Sequence, residues 1–409
     1  MLPPILEIYV VWHPGDAEGA RVANHLLDHF RGTAFSGLIG GAIEVYVRSE
    51  SRSGRVEEPP ALMPILEPPP YDLAVSSYTA AVVVAGTELA AAVEAPGAWR
   101  DYIEQIAGGH ATDPHTIGLF PVQVAPLALD KTHLSAVVGG CQQVAAAAWG
   151  KPGFEDTLCR DVAQGIAQMV DPGHRRLQVF ISHTKRLDTT ETGEVIRLVD
   201  LVRNVIAGTR LAEFFDARDL QPGEDWAPRL IEEAAHSALL AVRTDLYSSR
   251  PWCQREVVTA KRRGMPVVVL DGLRRGEERG SFLMDHVPRV AGHRKPKGWG
   301  EDAIWAALNQ LVDECLKRAL WQAQQRIASG SLGIHIDWWA PHAPEPATFA
   351  DWLTGIDRDS KRDASIIVLH PDPPLGDDES DVLVQIGRLS GLNGPLKFLT
   401  PRGLAVQGA

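Results

Sequence analysis

The sequence predicts an α/β fold of doubly wound parallel sheets, on three observations: apolar runs too continuous for strands with one wet face, helical periodicity between them, and repetition of the whole pattern within 409 residues. An antiparallel strand with one solvated face alternates apolar and polar residues. The runs AAVVVA, LLAV and PVVVL do not alternate, so helices are expected to cover both faces of the strands they form.

Taken in order, LEIYVVWHPGD (6–16) reads as a buried strand breaking into a polar turn, followed by the helical pattern ARVANHLLDHFRG, which ends on the glycine expected past a helix C-terminus. The strand AIEVYVRS follows. Residues 48–72 are crowded with proline and are expected to be extended or partly disordered. The strand YTAAVVVAGTEL, a helix from AWRDYIEQI and the strand TIGLFPVQV complete a first copy. The second copy runs in the same sequence: LQVFISHTKRLD, GEVIRLVDLVRNVIAG, RLAEFFDARD, SALLAVRTDLYS, PWCQREVVTAK and MPVVVLDGL. Its counterpart of the proline-rich segment, DARDLQPGEDWAPRLIEEAAH, is compact, with a turn at Pro222-Gly223 and a helix after it. Beyond residue 300, EDAIWAALNQLVDECLKRALWQAQQRI predicts a long amphipathic helix. Three short strand candidates, GIHIDWWA, ASIIVLHP and LKFLTP, then suggest a small third α/β module. The expected domains are 1–172, 173–320 and 321–409.

Composition narrows the function. With 52 acidic against 40 basic side chains the net charge is -12, which repels polyanions and makes nucleic acid an unexpected partner. No apolar run approaches a membrane span, and the first residues lack the charged and apolar regions of a secretory signal, so a cytoplasmic protein without membrane contact is expected. The four cysteines lie far apart, and neither CxxC nor zinc-like spacing occurs, so no metal is expected. GxSxG, Walker and HExxH patterns are missing as well. The basic loops KRRG, GLRRGEERG and AGHRKPKG read as solvated surface.

The stretch SSRPWCQRE (248–256) is the one that suggests chemistry. Pro251 suits the first position of a helix, where its missing N–H loses nothing. Trp252 and Glu256 then stand at i and i+4, on one face. In an open α/β sheet ligands sit at the carboxyl ends of the strands, and FISHTK, FFDARD and VRTDLYSS all leave their strands at that edge. Together, FISH, FFDARDLQPGEDW, TDLYSSRPWCQREV and MPVVVLDG resemble the bacterial form of the Toll/interleukin-1 receptor (TIR) domain over about 177–290.

That resemblance implies a flavodoxin-like fold with five parallel strands and, as in many members, cleavage of NAD⁺ at the nicotinamide–ribose bond, by a glycohydrolase or by a cyclase that captures the ADP-ribosyl centre internally. It makes Glu256 the catalytic carboxylate, sets Phe214 and Asp216 beside the adenosine, and matches Ser182, His183 and Lys185 to the first loop, where this chain departs from the commoner Tyr and Arg. Trp252 is expected to offer a flat wall to the nicotinamide or ribose. NAD⁺ is then substrate, and no cofactor is required. Resemblance further implies antiviral defence, activity after self-association through TIR modules, and a possible separate sensor or effector protein. The first copy, with Trp99 and Glu104 five residues apart, reads as a degenerate TIR-like or Rossmann-like module without cleavage activity. Two rivals remain: a TIR scaffold that only associates, and a module that binds a nucleotide signal without chemistry.

Overall fold

The computed structural model describes residues 5–32, 35, 43–51, 53–68, 75–126, 128–145, 150–171, 173, 176–185, 196–214, 226–277, 279–295, 298–328, 335–357 and 363–407. The chain is a mixed α/β protein that forms two compact units, Met1–His174 with Ala319–Ala328, and Arg175–Arg318 with Ser329–Ala409.

In the first unit, β1 (Leu6–Val11) and α1 (Ala17–Arg31) lead to β2 (Ile43–Arg48), β3 (Tyr78–Ala85), α2 (Thr87–Glu94), α3 (Ala98–Thr112), β4 (Ile117–Gln123), α4 (His133–Val138) and α5 (Phe154–Val170). The four strands are parallel, in the order β2-β1-β3-β4. All six residues of β1 are buried, as a strand between two helical layers must be. Val144 adds an isolated parallel bridge to Val122 at the open edge of β4.

The proline-rich segment departs from expectation. Its described part, 53–68, is wound onto the first core: Met63 is fully buried, Leu62, Ile65 and Leu66 pack beside it, and Trp99 Nε1 donates to the Val56 carbonyl at 2.8 Å. Prolines set local direction, but the apolar run ALMPILE decides where the segment goes.

The second unit runs β5 (Gln178–Ser182), α6 (Leu198–Ala207), β6 (Ala212–Phe214), α7 (Trp226–His236), β7 (Ala238–Arg243), α8 (Pro251–Arg262), β8 (Val267–Asp271), β9 (Arg289–Ala291), the hairpin β10 (Arg294–Lys295) and β11 (Gly298–Trp299), and α9 (Glu301–Ala328) up to Arg318, the rest of that helix grouping with the first unit. Its sheet is parallel throughout, in the order β6-β5-β7-β8-β9. Both large sheets therefore set their first strand between the second and the third. The sequence boundary at 320/321 falls inside the uninterrupted helix α9, and residues 329–409 group with 175–318 rather than apart. There β12 (Trp338–Trp339), α10 (Pro346–Gly355), β13 (Ile366–Leu369), α11 (Asp377–Leu389), β14 (Leu396–Leu399) and α12 (Pro401–Gln407) build a three-stranded parallel sheet in the order β12-β13-β14, with its own core around Phe349 and Val368. Among the described residues no helix is long and apolar enough to cross a membrane.

Candidate active site

The site is built where β5 and β7 end. Ser182, the last residue of β5, pairs with Ala241 of β7 and is 1% exposed. After β7 the chain turns through Thr244–Arg250, with Tyr247 N–H bonded to the Thr244 carbonyl at 2.9 Å and Arg250 N–H to the Tyr247 carbonyl at 3.0 Å. Pro251 then opens α8 in its first turn. Cys253, Val257 and Ala260 recur at helical spacing and lie in the core with Phe180, Leu239, Ala241 and Val269. That anchoring face determines where the neighbouring positions point.

Glu256 lies on the flank of this face nearest the strand ends and is 7% exposed. The Ser182 hydroxyl donates to Glu256 Oε2 at 2.5 Å, and the Tyr247 hydroxyl lies 2.6 Å from Ser182 Oγ. Burial first, then the neighbouring Cys253 and Glu256, hold the Tyr247 phenol well above its ordinary range, so it stays protonated. The Cys253 thiol points to the His183 carbonyl, 3.5 Å away.

The rim is pinned by charges. Arg243, the last residue of β7, donates to Asp271 Oδ2 at 3.1 Å and pairs with Glu277. Glu277 accepts from Ser248 N–H at 3.2 Å, and the Asp245 carboxylate accepts from the N–H groups of Arg274, Arg275 and Gly276. Burial alone would raise Glu277, but the bonds from Arg243 and Ser248 and the guanidinium charge hold its carboxyl below the usual range. The loop GLRRGEERG, expected to be solvated surface, is thus fastened to the turn that carries Tyr247.

Of the expected residues, Ser182 and Glu256 are brought into contact. His183 is partly buried and Lys185 exposed, both just past β5. Phe214 ends β6, whose backbone pairs it with Phe180. Asp216, like the turn at Pro222-Gly223, lies outside the described residues. Trp252, one turn before Glu256, lines a groove of about 640 Å³ beside α7 with Pro228, Ile231, Glu232, Ala235 and His236, and the Arg255 guanidinium stands 4.5 Å from its ring centroid.

Tyr247 was not singled out by sequence reasoning, because its partner Ser182 lies 65 residues away. In the first copy Trp99 is buried, while Glu104 lies at the surface, 2.8 Å from His133 Nε2. Among the described residues no group of three or more His, Cys, Asp or Glu is placed to hold a metal ion. Compared with known proteins, the chain matches no family model and no curated protein.

Proposed function

We propose that the second unit is a TIR-type domain that cleaves NAD⁺ between nicotinamide and ribose, with Glu256 as the catalytic carboxylate. The observation that carries this reading is a buried acidic side chain at the carboxyl edge of a parallel sheet, held by a hydroxyl at 2.5 Å. The order of its five strands, second-first-third-fourth-fifth, supports a flavodoxin-like reading, and in such sheets ligands bind where the order reverses, between β5 and β7. Ser182 and the turn bearing Tyr247 stand at that place.

As the C1–N bond of the nicotinamide riboside breaks, the bonding pair leaves with the pyridine and positive charge grows on the ribose. Nicotinamide departs neutral, so no second acid is needed to protonate it. A fixed carboxylate stabilises the oxocarbenium-like state, and water adding at C1 yields ADP-ribose and a proton; in cyclisation an adenine nitrogen takes the place of water. Lys185 and His183 leave β5 at the same edge, which supports a role beside the phosphates, and the position of Phe214 at the end of β6 supports one beside the adenosine. The surface position of Glu104 supports a first unit without this activity.

The experiment follows nicotinamide release from NAD⁺ by the full chain under conditions that promote assembly. Glu256→Ala should lose about a hundredfold or more in rate, on the order of 3 kcal/mol. Undiminished release by that variant overturns the assignment. An association module is the second reading, favoured by the groove between α7 and α8, where Ile231, Ala235 and Trp252 lie among charged side chains. On that reading Trp252→Ala abolishes self-association, and Glu256→Ala changes nothing.

A further inference from the structure

We infer that Tyr247 is a positioning residue for Glu256, acting through Ser182, in a one-way chain of hydroxyls that orients the carboxylate; this rests on Glu256 being the reacting group. Three separate elements supply the chain: the turn after β7, the end of β5, and α8. Tyr247 is 1% exposed and Ser182 likewise, so bulk water does not stand in for either partner.

Direction follows from proton counting. A protonated phenol buried this deeply needs an acceptor, and Ser182 Oγ lies 2.6 Å from it. Ser182 has one proton, and with Tyr247 donating to its oxygen that proton points to Glu256 Oε2 at 2.5 Å. With Glu256 ionised, as the proposed reaction requires, the final bond is charge-assisted, and the earlier one polarises it. The carboxylate is thereby tied to the sheet as well as to its own helix, which fixes its rotamer before a ligand arrives. Preorganisation of this kind acts on the rate more than on ground-state binding.

The turn itself is held from its other side. Asp245 grips the N–H groups of residues 274–276, and Ser248 N–H is bonded to Glu277, so Tyr247 sits between two fixed neighbours. A Tyr that merely filled the core would need its ring but not its hydroxyl.

The test therefore removes the hydroxyl alone. In Tyr247→Phe, kcat for nicotinamide release should fall about tenfold or more while KM for NAD⁺ stays within about twofold. Ser182→Ala breaks the same chain in the middle and serves as the second variant should Tyr247→Phe fold poorly. An infrared readout needs no turnover: the difference between wild type and Glu256→Gln isolates the carboxylate stretching bands, and loss of the Tyr247 hydroxyl should shift them. Bands that coincide with the wild type, or an unchanged kcat, overturn the inference. If Glu256→Gln cleaves NAD⁺ as the wild type does, the catalytic reading fails and the positioning role falls with it. A wild-type rate lost in Glu256→Gln, with no band shift in Tyr247→Phe, sinks only the inference.

Discussion

Lys261 shows how far a single residue can stand from its local pattern. In TAKRRG it reads as one more exposed cation, yet its Nζ donates to the carbonyls of Leu283 and Asp285 at 3.0 and 2.9 Å and lies 3.3 Å from Glu345 Oε1. Both side chains are at most 5% exposed. Burial pushes the Lys261 ammonium down against the pull of Glu345. Burial would raise Glu345, but Lys261 and the N–H groups of Ala347 and Thr348 hold its carboxyl below the usual range. Breaking a buried pair from one side strands the other charge, at a cost of about 3–5 kcal/mol. Lys261→Met should therefore destabilise by that order in urea denaturation. Lys261→Met with Glu345→Gln should recover part of it, because no charge is left stranded, while the single amide oxygen can accept from only one of the Ala347 and Thr348 N–H groups that the carboxylate now caps. Costs that simply add in the double variant would falsify the coupling.

Among the elements, the segment 53–68 and helix α8 show opposite degrees of legibility. The start of α8 could be read directly, since Pro251 and the spacing of Cys253, Val257 and Ala260 are local signals. The proline-rich segment was misread, because proline reports backbone restriction and says nothing about where an apolar run docks. Met63 is the anchor: fully buried, it packs in the cluster with Trp99, Tyr102 and Ile103. Met63→Ala should cost the first unit about 2–5 kcal/mol and speed hydrogen exchange across 53–68. Exchange that is already as fast in the wild type as in a free peptide would show that the segment is not docked. The reach of Glu256 was half legible: helical spacing put it on one face with Trp252, but only the β5–β7 pairing brings Ser182 beneath it.

At the scale of the molecule, pH acts on the second unit through buried imidazoles. Burial pulls His342 and His370 below the ordinary value of 6.5; Lys261 and Glu345 lie near the first, and Asp372, His342 and His286 near the second. A depressed folded value means that the unfolded chain binds protons first, so this stability is complete above pH 6.5 and is withdrawn as pH falls through the lowered values. Glu345 and Glu277 are also depressed, from 4.5, and their contributions are lost only below that. The window between the two isolates the histidines. Thermal midpoints of the second unit should fall between pH 7 and pH 5, by about 2–4 °C for each kcal/mol lost, and a flat profile would rule out these imidazoles as its cause. The sequence by itself determined the alternation of strand and helix, the repeat, the first turn of α8 and the apolar runs of the C-terminal sheet, because each is written in spacing along a few turns of chain. Tertiary structure alone decided that Tyr247 and Ser182 meet Glu256 and that Lys261 meets Glu345. Contacts that span 65 to 84 residues depend on which strands become neighbours, and strand order follows from burying whole faces together rather than from any local pattern.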